Sequence, residues 1–544
     1  MILPTFPFPQ RLRRTLMAGV LAWTAAGATR GAETILLVDD HDVAYRSGTK
    51  RVLHSPVRHA GNPVLTGPEP RNQFGYCSLY RDPDTGRYQL WYQLSGGDCV
   101  TCYAESADGL RWEVPRLGLI ERKGIPTPNI VLGSEGHYGA SVVVDAPGAG
   151  EAARRYKLVY WSIPPAEPGQ AVPKDPRGPN GGMFVAFSPD GIRWTKHGPM
   201  VMKTSYGAKG VPAPYRDEGF YFEEKQKNGT VRKSWRVPLS MSDALDVIAD
   251  PRLGVFVAYG KMWIPGPDGS LGWKHAMGRA ESRDMIHWSR PELVLVPDER
   301  DAPMREFHTS PVFHHRGLYL SLNQILDRRA GSIDLELMSS RDGRRWERPY
   351  AGTPAIARGQ GAVFDAGSLF SNATPIEVGD EVRFYYGAYR GTAVGGVGLD
   401  RQKVGAKDYF SGIGYASIRR DRFVALYPDP ASSVRNPPPA PKAGSPPAAP
   451  NTVAQVTLKA LDLRGVTQLR LNADASRGAI RVEVLDEDGY RLRGFAKEDA
   501  VPVRGDGLDL ETRWTQKTLA DLPAGKYLIR VHLDRADLYA VTLR

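Results

Sequence analysis

Apolar and polar residues alternate along most of this chain, and the alternation recurs in units of tens of residues. Stretches such as RRYKLVYW, VFVAYGKMW and LYLSLNQI are bounded by Gly, Asp or Pro, which is the pattern of half-buried β-strands. Four phrases each predict a strand, a tight polar turn and a second strand with a tryptophan: AESADGLRWEVP, AFSPDGIRWTKHGP, AESRDMIHWSRP and SSRDGRRWERP. A fifth copy, GIGYASIRRDRFVAL, has Phe423 in place of the tryptophan. Because recurrent strand-rich units of this size are typical of propeller blades, we predict an all-β, five-bladed β-propeller.

The Asp-Gly pair and the tryptophan that recur in the repeated phrase have structural explanations. An Asp-Gly pair supplies the positive φ angles of a tight hairpin turn. The tryptophan offers a large apolar surface that we expect to pack between neighbouring blades. We therefore assign structural roles to four residues: Trp112, Trp194, Trp288 and Trp346.

The first residues predict an export signal. Residues 1–28 place Arg11, Arg13 and Arg14 ahead of an apolar run, which ends in a small-residue cleavage site. An ordinary secretory signal and a twin-arginine signal both remain open. No later segment is apolar enough to cross a bilayer, so we expect a secreted or periplasmic protein without an integral membrane segment.

Composition divides the rest of the chain into three predicted parts. The propeller is expected over residues 34–430, with long insertions at 203–238 and 391–410. Residues 431–450 are rich in Pro, Ala and Ser, a composition that predicts an extended, semi-stiff linker. Residues 451–544 alternate as short strands again, which suggests a small β-sandwich with an accessory role.

Charge narrows the range of partners. The chain has 71 Lys and Arg against 60 Asp and Glu, and a formal net charge of +11. Because the two signs are interspersed rather than collected in basic runs, we expect no nucleic-acid partner. We expect a monomer.

Cysteine and acid pairs give weak indications of metal binding. Cys99 and Cys102 lie on one predicted strand and face opposite sides of it, so they are poorly placed to chelate one ion. Buried thiols, or one disulfide with Cys77 and a spare thiol, explain the three cysteines better. At Asp39-Asp40 a structural calcium ion is conceivable, but a capped first strand with one solvated acid is the simpler interpretation. We assign no metal ligands and no cofactor.

Candidate chemistry lies at the start of each blade's innermost strand, because these strands face the axis of a propeller. Ionisable residues occur there in four blades: His137, Asp243 with Asp246, Glu306 with His308, and Asp365. Two carboxyl groups, one protonated and one ionised, are the usual equipment for cleaving a glycosidic bond. The alternative is that such acids cap turns or pair with Arg305 and Arg358.

The hypothesis assigns roles to seven residues. Asp243, Glu306 and Asp365 act as acid, base and stabiliser in some assignment. Glu306 is the preferred acid, because Phe307 beside it could form an apolar surround that raises the pKa of a carboxyl group. Sugar hydroxyls or an acidic group would be bound by the remaining four: Tyr76, His137, Arg305 and His308.

Several motifs carry a resemblance to a known group. LLVDDHDV, HAGNPVL, the blade phrase, REFHTSPVF and FDAGSLF resemble bacterial secreted proteins that are similar to the N-terminal domain of glycoside hydrolase family 32. The segments LRLNADAS, VEVLDEDG and LDRADLYAV are similar to the tail domain of that group. The resemblance spans nearly all of the chain after the signal and implies a five-bladed propeller that acts on carbohydrate.

The chain departs from family 32 at the catalytic motifs. It lacks the Trp-Met-Asn-Asp-Pro-Asn-Gly-like segment that holds the family's nucleophile, and it lacks the Glu-Cys motif of the acid/base residue. Arg81-Asp82-Pro83 matches the family's triplet, but Asp82 lies at a strand–turn boundary and is interpreted as a turn residue. The resemblance therefore does not imply fructan hydrolysis, and the sugar stays open.

Two classes of function follow. The first is an exported glycoside hydrolase that uses carboxylate acid/base chemistry in a central pocket. The second is a non-catalytic propeller that binds carbohydrate or a partner in the same pocket. Two carboxyl groups that converge within roughly 5–10 Å favour the hydrolase.

Overall fold

The computed structural model describes most of the chain after residue 31. The described residues are 32–67, 72–96, 99–134, 136–162, 181–203, 220–225, 231–236, 241–264, 274–370, 374–391, 410–432, 435–436, 451–452 and 454–544. The predicted signal peptide lies outside them. The fold is all-β: among the described residues there is no α-helix, only two 3₁₀ turns at Ala152–Arg154 and Leu519–Asp521. Accordingly, no described helix has the length and apolarity needed to span a bilayer.

The chain begins with five short strands that serve two different sheets. They are β1 (Glu33–Leu36), β2 (Val43–Ser47), β3 (Thr49–Leu53), β4 (Val57–Arg58) and β5 (Leu65–Thr66). The last two pair with a strand of the fifth sheet described below, and the first three pair elsewhere.

Three antiparallel sheets follow in chain order. Sheet I comprises β6 (Gln73–Arg81), β7 (Tyr88–Ser95), β8 (Cys99–Ser106) and β9 (Ile130–Gly133). Sheet II comprises β10 (Tyr138–Val144), β11 (Tyr156–Ser162), β12 (Gly182–Ser188), β13 (Thr195–Lys196) and β14 (Met202–Lys203). A separate hairpin, β15 (Phe220–Lys225) with β16 (Val231–Arg236), lies within the first predicted insertion. Sheet III comprises β17 (Met241–Asp250), β18 (Val255–Ile264), β19 (Lys274–Ser282) and β20 (Glu292–Leu295).

Two further antiparallel sheets complete the series and are joined by one parallel bridge, Ile333 to Ser368. Sheet IV comprises β21 (Arg305–Phe307), β22 (Val312–His315), β23 (Leu318–Asp327), β24 (Ser332–Ser340) and β25 (Trp346–Glu347). Sheet V comprises β26 (Ser368–Phe370), β27 (Ile376–Val378), β28 (Glu381–Tyr389) and β29 (Ser411–Arg419), with β4 and β5 on its outer edge.

The sheets contact one another in a closed succession. The first strand of sheet I packs against that of sheet II, which packs against that of sheet III, and β17 packs in turn against β22 of sheet IV. Sheet V contacts sheet IV through β24 and β26, and it contacts sheet I through β28 and β6. This succession is propeller-like, and it brings the first strands of all the sheets to a common centre.

The C-terminal strands form another sheet that also takes up residues from the beginning of the chain. The remaining strands are β30 (Val424–Pro428), β31 (Arg435–Asn436), β32 (Asn451–Thr452), β33 (Gln455–Leu458), β34 (Leu461–Asp462), β35 (Leu469–Leu485), β36 (Val503–Glu511), β37 (Lys526–Asp534) and β38 (Asp537–Leu543). The sheet has the order β2-β33-β37-β35-β38-β30-β3, and β1 pairs with β38. Residues 33–53 therefore lie in the C-terminal sheet, although the predicted boundary assigns them to the propeller. The ends of the predicted linker, β31 and β32, pair with each other.

The repeated phrase forms the same turn in four sheets. In sheet I the Ser106 hydroxyl accepts a hydrogen bond from the N–H of Gly109 at 2.9 Å, and Asp108 accepts bonds from the next two N–H groups at 2.8 Å. Ser188 with Asp190, Ser282 with Asp284, and Ser340 with Asp342 repeat these bonds. Local side-chain hydrogen bonds of this kind stabilise tight turns. The prediction that Asp-Gly specifies the turns is confirmed.

In three of these turns an aromatic side chain from the preceding sheet donates a hydrogen bond to the glycine carbonyl. The pairs are Tyr385 with Gly109 (2.9 Å), Trp91 with Gly191 (2.7 Å) and Tyr259 with Gly343 (3.0 Å). Each glycine has a positive φ, and a Cβ at Gly191 would approach the Trp91 ring to 2.5 Å. Both the backbone angle and the close approach therefore require glycine. Trp112 and Trp346 pack edge-on against Tyr385 and Tyr259, which confirms the predicted inter-sheet role of these two tryptophans.

The turn of sheet III shows why the phrase varies there. Met285 occupies the glycine position with a φ of 68°, a backbone region that is costly for residues with a side chain. Met285 is fully buried in one apolar cluster with Val159 of sheet II. Where the preceding sheet offers an aliphatic side chain instead of an aromatic donor, a methionine fills the space.

The innermost strands carry extra residues near the centre. The pairing register shifts between Phe74 and Cys77, between Tyr138 and Ser141, and between Met241 and Leu245. Such bulges bend a strand and redirect its side chains. Beyond each bulge a side chain accepts a hydrogen bond from a backbone N–H of the next sheet, in the pairs Ser78 with Val142, Ser141 with Val247, and Asp246 with Val312.

Gly191→Ala tests the turn contact. We expect it to lower the free energy of unfolding by more than about 1 kcal/mol, because the variant combines an unfavourable φ with a clash against Trp91. Gly148→Ala is the matched control, since Gly148 has the same φ of 77° against 76° but no atom within 4 Å of its would-be Cβ. Equal losses in urea denaturation of the two variants would show that the aromatic contact contributes nothing.

The buried carboxyl group of Asp246 predicts a pH-dependent stability. Burial raises its pKa well above the usual value, so the folded protein binds this proton more tightly than the unfolded chain. The resulting stabilisation is complete below the unfolded pKa and is lost as the pH rises through the folded pKa. In melting curves from about pH 5 to about pH 9, Asp246→Asn should gain Tm relative to the parent as the pH rises. The control is Asp488→Asn, in an exposed turn, whose Tm should differ from that of the parent by the same amount at every pH. A difference in Tm between Asp246→Asn and the parent that does not change with pH would contradict the prediction.

Candidate functional site

Side chains from all five sheets meet at the centre of the ring. The central cluster comprises Tyr76 of sheet I, Tyr138 of sheet II, Ala244 of sheet III, Leu326 and Ile333 of sheet IV, and Phe370 and Tyr389 of sheet V. The Tyr76 ring lies edge-on to Tyr138 and Phe370, at centroid distances of 5.6 and 5.4 Å. This cluster confirms that side chains far apart in sequence converge at the centre.

A buried ion pair lies beside the aromatic rings. Lys261 Nζ is 2.6 Å from Asp243 Oδ1, and both side chains are buried. Burial alone would raise the pKa of Asp243, but Lys261 outweighs it and lowers the pKa below the usual value, with help from His308 and His275. Asp243 is therefore an ionised carboxylate.

A second carboxylate is held by a histidine. Glu306 Oε1 lies 2.9 Å from His275 Nδ1, and its Oε2 accepts the backbone N–H of His275 at 3.2 Å. A carboxylate only accepts hydrogen bonds, so Nδ1 carries a proton. Burial lowers the pKa of His275, so the ring is neutral at neutral pH and Nε2 keeps its lone pair. The His275 ring lies against the Trp263 indole at 3.7 Å between centroids. His275 Nε2 is buried and has no hydrogen-bond partner among the described residues.

The expectation that Glu306 is a protonated acid is wrong for this structure. Burial opposes ionisation, but His275 and Arg328 lower the pKa of Glu306 to about 2. The proposed apolar neighbour does not act on it, because successive residues of a strand face opposite sides. Phe307 instead packs in the core between sheets III and IV, under the guanidinium of Arg348.

Tyr76 and His308 join the two carboxylates. The Tyr76 hydroxyl lies 3.1 Å from His308 Nδ1, and their rings are stacked. Burial raises the pKa of Tyr76 to about 12 and lowers the pKa of His308 well below its usual value, so the first is protonated and the second is neutral. The charges of Asp243 and Glu306 both act to raise the pKa of His308, although burial outweighs them. We call Tyr76, Asp243, Lys261, His275, Glu306 and His308 the polar centre.

Three other predicted residues do not join the polar centre. Asp365 is bound by Arg58 Nε at 2.8 Å and by the Tyr386 hydroxyl at 3.0 Å. His137 Nε2 lies 2.8 Å from the Thr101 hydroxyl, and burial lowers the pKa of His137 to about 3. Arg305 is partly exposed and lies 3.8 Å from Asp327. Of the four residues predicted to line one cavity, Asp243 and Glu306 both lie near His308, whereas Asp365 and His137 are bound by partners outside the polar centre; the shared cavity stays a prediction.

The alternative of a structural role holds for other acids. Asp246 binds Ser141 and the N–H of Val312, and so connects three sheets. Asp82 accepts the N–H groups of Asp84 and Thr85, which confirms that it is a turn residue.

Asp39 and Asp40 are each bound by arginine. Asp39 pairs with Arg341, and Asp40 pairs with Arg46 and Arg51. In the described part of the chain, no group of three or more His, Cys, Asp or Glu side chains is placed to hold a metal ion.

Sequence reasoning missed Lys261, His275 and Tyr138. The search covered the start of each first strand, whereas Lys261 lies near the end of a second strand and His275 near the start of a third. The available signal was the occurrence of Lys and His inside the otherwise apolar segments VAYGKMW and KHAMG. Buried charges in a strand core demand partners.

Comparisons with known proteins show similarity of structure only. No protein-family model matches the sequence, and no curated protein matches it. A solved structure named "Glycoside hydrolase" has a TM-score of 0.43 at 15% identity, covering 67% of this chain and 92% of its own. A thermostable family-43 glycoside hydrolase has a TM-score of 0.39 at 13% identity, covering 64% and 91%. An N-acetylgalactosamine deacetylase from F. plautii has a TM-score of 0.40 at 15% identity, covering 69% and 96%. The structural neighbours are thus mainly glycoside hydrolase-fold proteins, at a likeness too low to carry an argument about activity, and family 32 stays a prediction.

Lys261→Met tests the ion pair of the polar centre. It leaves the Asp243 carboxylate buried without its ammonium partner, so we expect the free energy of unfolding to fall by about 3–5 kcal/mol. Adding Asp243→Asn should restore most of that loss. Arg513→Met, which breaks an exposed pair with Glu511, should change stability little. If Lys261→Met loses no more free energy of unfolding than this control, the claim that Lys261 and Asp243 form a stabilising buried ion pair is contradicted.

Proposed function

We propose that this protein is a glycoside hydrolase whose pocket is the polar centre. The supporting observation is that two ionised carboxylates, Asp243 and Glu306, lie beside a cluster of apolar side chains from every sheet, in which sheets I, II and V contribute aromatic rings. Carboxylates stabilise the positive charge that develops on a sugar ring during cleavage. Aromatic walls with a few fixed polar groups are typical of small-molecule sites.

The residues take the following roles in this proposal. Glu306 fixes the tautomer of His275, so that the free Nε2 accepts a proton from the attacking water. Asp243 stabilises the positive charge at the anomeric carbon. Tyr76, which keeps its proton at neutral pH because its pKa is about 12, gives that proton to the glycosidic oxygen as its bond to the anomeric carbon breaks and the water oxygen bonds to that carbon. His308 orients the Tyr76 hydroxyl, and the proton taken up by His275 returns to Tyr76 through solvent once the products leave.

The wider assignment belongs to the same proposal. The five sheets are the blades of a five-bladed propeller, and residues 451–544 supply most of a β-sandwich that includes the strands of residues 33–53. The protein is exported through the signal at residues 1–28 to the periplasm or beyond, and acts as a monomer on an oligo- or polysaccharide. It is related to the family 32-like group without that family's invertase motifs.

A binding propeller is the second candidate, and one observation favours it. The pKa values of Asp243 and Glu306 are both lowered, so neither carboxyl group supplies the protonated acid that a paired-carboxyl mechanism uses. A pocket that only binds sugar needs no such acid.

Activity measurements decide between the candidates. The purified protein without residues 1–28 should hydrolyse at least one substrate in a panel of polysaccharides and aryl glycosides. Asp243→Asn and Glu306→Gln should each lower kcat by at least about 100-fold; because each removes one partner of a buried pair and lowers Tm as well, kcat is measured below the melting transition of the variants. Glu299→Gln, at an exposed acid, is the matched control and should retain full activity.

Two other outcomes would change the proposed assignment. Full activity in Asp243→Asn or Glu306→Gln would remove that residue from the mechanism. Saccharide binding without turnover, abolished by Tyr76→Phe, would establish the binding propeller instead.

A further inference from the structure

A groove of about 810 Å³ lies between sheets IV and V. Three segments form it: the turn between β23 and β24, the loop of residues 354–367, and the end of β28 at Arg390 and Gly391. Each segment continues directly into the central cluster, through Ile333, Phe370 and Tyr389 respectively. The groove is therefore lined by segments that lie next to the central cluster along the chain.

The walls of the groove are low and rich in backbone. Five of its lining residues are glycines: Gly331, Gly359, Gly361, Gly367 and Gly391. A side chain at Gly359 would collide with the Asp365 carboxylate, and one at Gly367 with the backbone of Gly391. At these two positions close packing beneath the groove requires glycine.

The charged lining is predominantly cationic. Among the described residues that line the groove, Arg358 and Arg390 are basic and Asp334 is acidic. Arg358 Nε lies 3.2–3.3 Å from both oxygens of Asp334, and its Nη1 donates to the Ala366 carbonyl at 3.4 Å. The remaining nitrogen, Nη2, has no hydrogen-bond partner among the described residues, and about a third of the side chain is exposed.

Hydrogen bonds around Asp365 hold the loop of residues 357–365 in place. Arg58, on the outer edge of sheet V, binds both the Asp365 carboxylate and the carbonyl of Ala357. The Asp365 carbonyl accepts the N–H of Gly359 at 3.0 Å. These bonds tie both ends of residues 357–365 to one guanidinium, so Asp365 is a positioning residue for the groove.

We infer that this groove is a binding site for a carboxylate-bearing sugar of the saccharide chain whose neighbouring residue occupies the polar centre. A guanidinium group presents paired N–H donors that match a carboxylate, and Arg358 and Arg390 provide the guanidinium groups. Asp334 competes with the ligand for Arg358. The inference rests on the proposed function for the direction of the chain, but the binding itself does not require turnover.

Calorimetry on the full chain carrying Asp243→Asn tests the inference without interference from hydrolysis. The probes are trigalacturonic acid and its carboxyl-reduced, neutral counterpart. The acid should bind at least about tenfold more tightly than the neutral trimer. Arg358→Gln should remove that preference, and Asp334→Asn should strengthen binding of the acid, so the two variants move the affinity in opposite directions.

Arg316→Gln is the matched control, because Arg316 is similarly exposed and also paired with acids, but lies in another part of the fold. Equal affinity for the two trimers, or a loss in Arg316→Gln in place of Arg358→Gln, would overturn the inference. Failure of the proposed function gives a different result: the parent protein would bind the acid with the expected variant effects but hydrolyse nothing.

Discussion

Closure of the ring is the constraint on which the site depends. The outer edge of sheet V is completed by residues 57–58 and 65–66 from the beginning of the chain. On its inner side sheet V meets sheet I so closely that a Cβ at Gly387 would overlap the carbonyl oxygen of Gly75. Only this closure makes the first strands face one centre, and the bulges in those strands then direct side chains into it.

Burying the charged groups of the polar centre costs free energy, and this cost is evidence about their role. Desolvating the Asp243–Lys261 and Glu306–His275 pairs costs more than packing apolar residues of the same volume. A fold that needed only stability would fill this space with apolar side chains, as it does between the sheets. Buried charges that converge from sheets III and IV onto one set of rings point to a ligand, because perturbed ionisable groups concentrate at functional sites.

Much of the architecture could be predicted from the sequence, because turns are local. Ser-x-Asp-Gly specifies its own hydrogen bonds, and the alternation of apolar residues specifies strands, so sheets I–V were visible in the printed chain. The presence of Met285 in place of glycine was not, since Met285 packs in a cluster with side chains of another sheet. The pairing of residues 33–53 with the C-terminal strands depends on a contact across about five hundred residues, which no local pattern encodes.

The site could be predicted only in part, for the same reason. Position at the start of an innermost strand found Tyr76, Asp243, Glu306 and His308, but it also selected Asp365 and His137. Asp365 has its partner, Arg58, in a segment three hundred residues away, and that partner determines its role. The ionisation of Glu306 likewise depends on His275, which belongs to a different sheet.

The crystal structure of Glu306→Gln in complex with an oligosaccharide that the parent protein cleaves is the most direct measurement of the central claim. We expect one sugar ring at the polar centre, within hydrogen-bonding distance of the Tyr76 hydroxyl and Asp243, with the scissile bond facing His275. A saccharide bound only on the C-terminal sheet or on the outer edges of the sheets, with the centre empty, would contradict it.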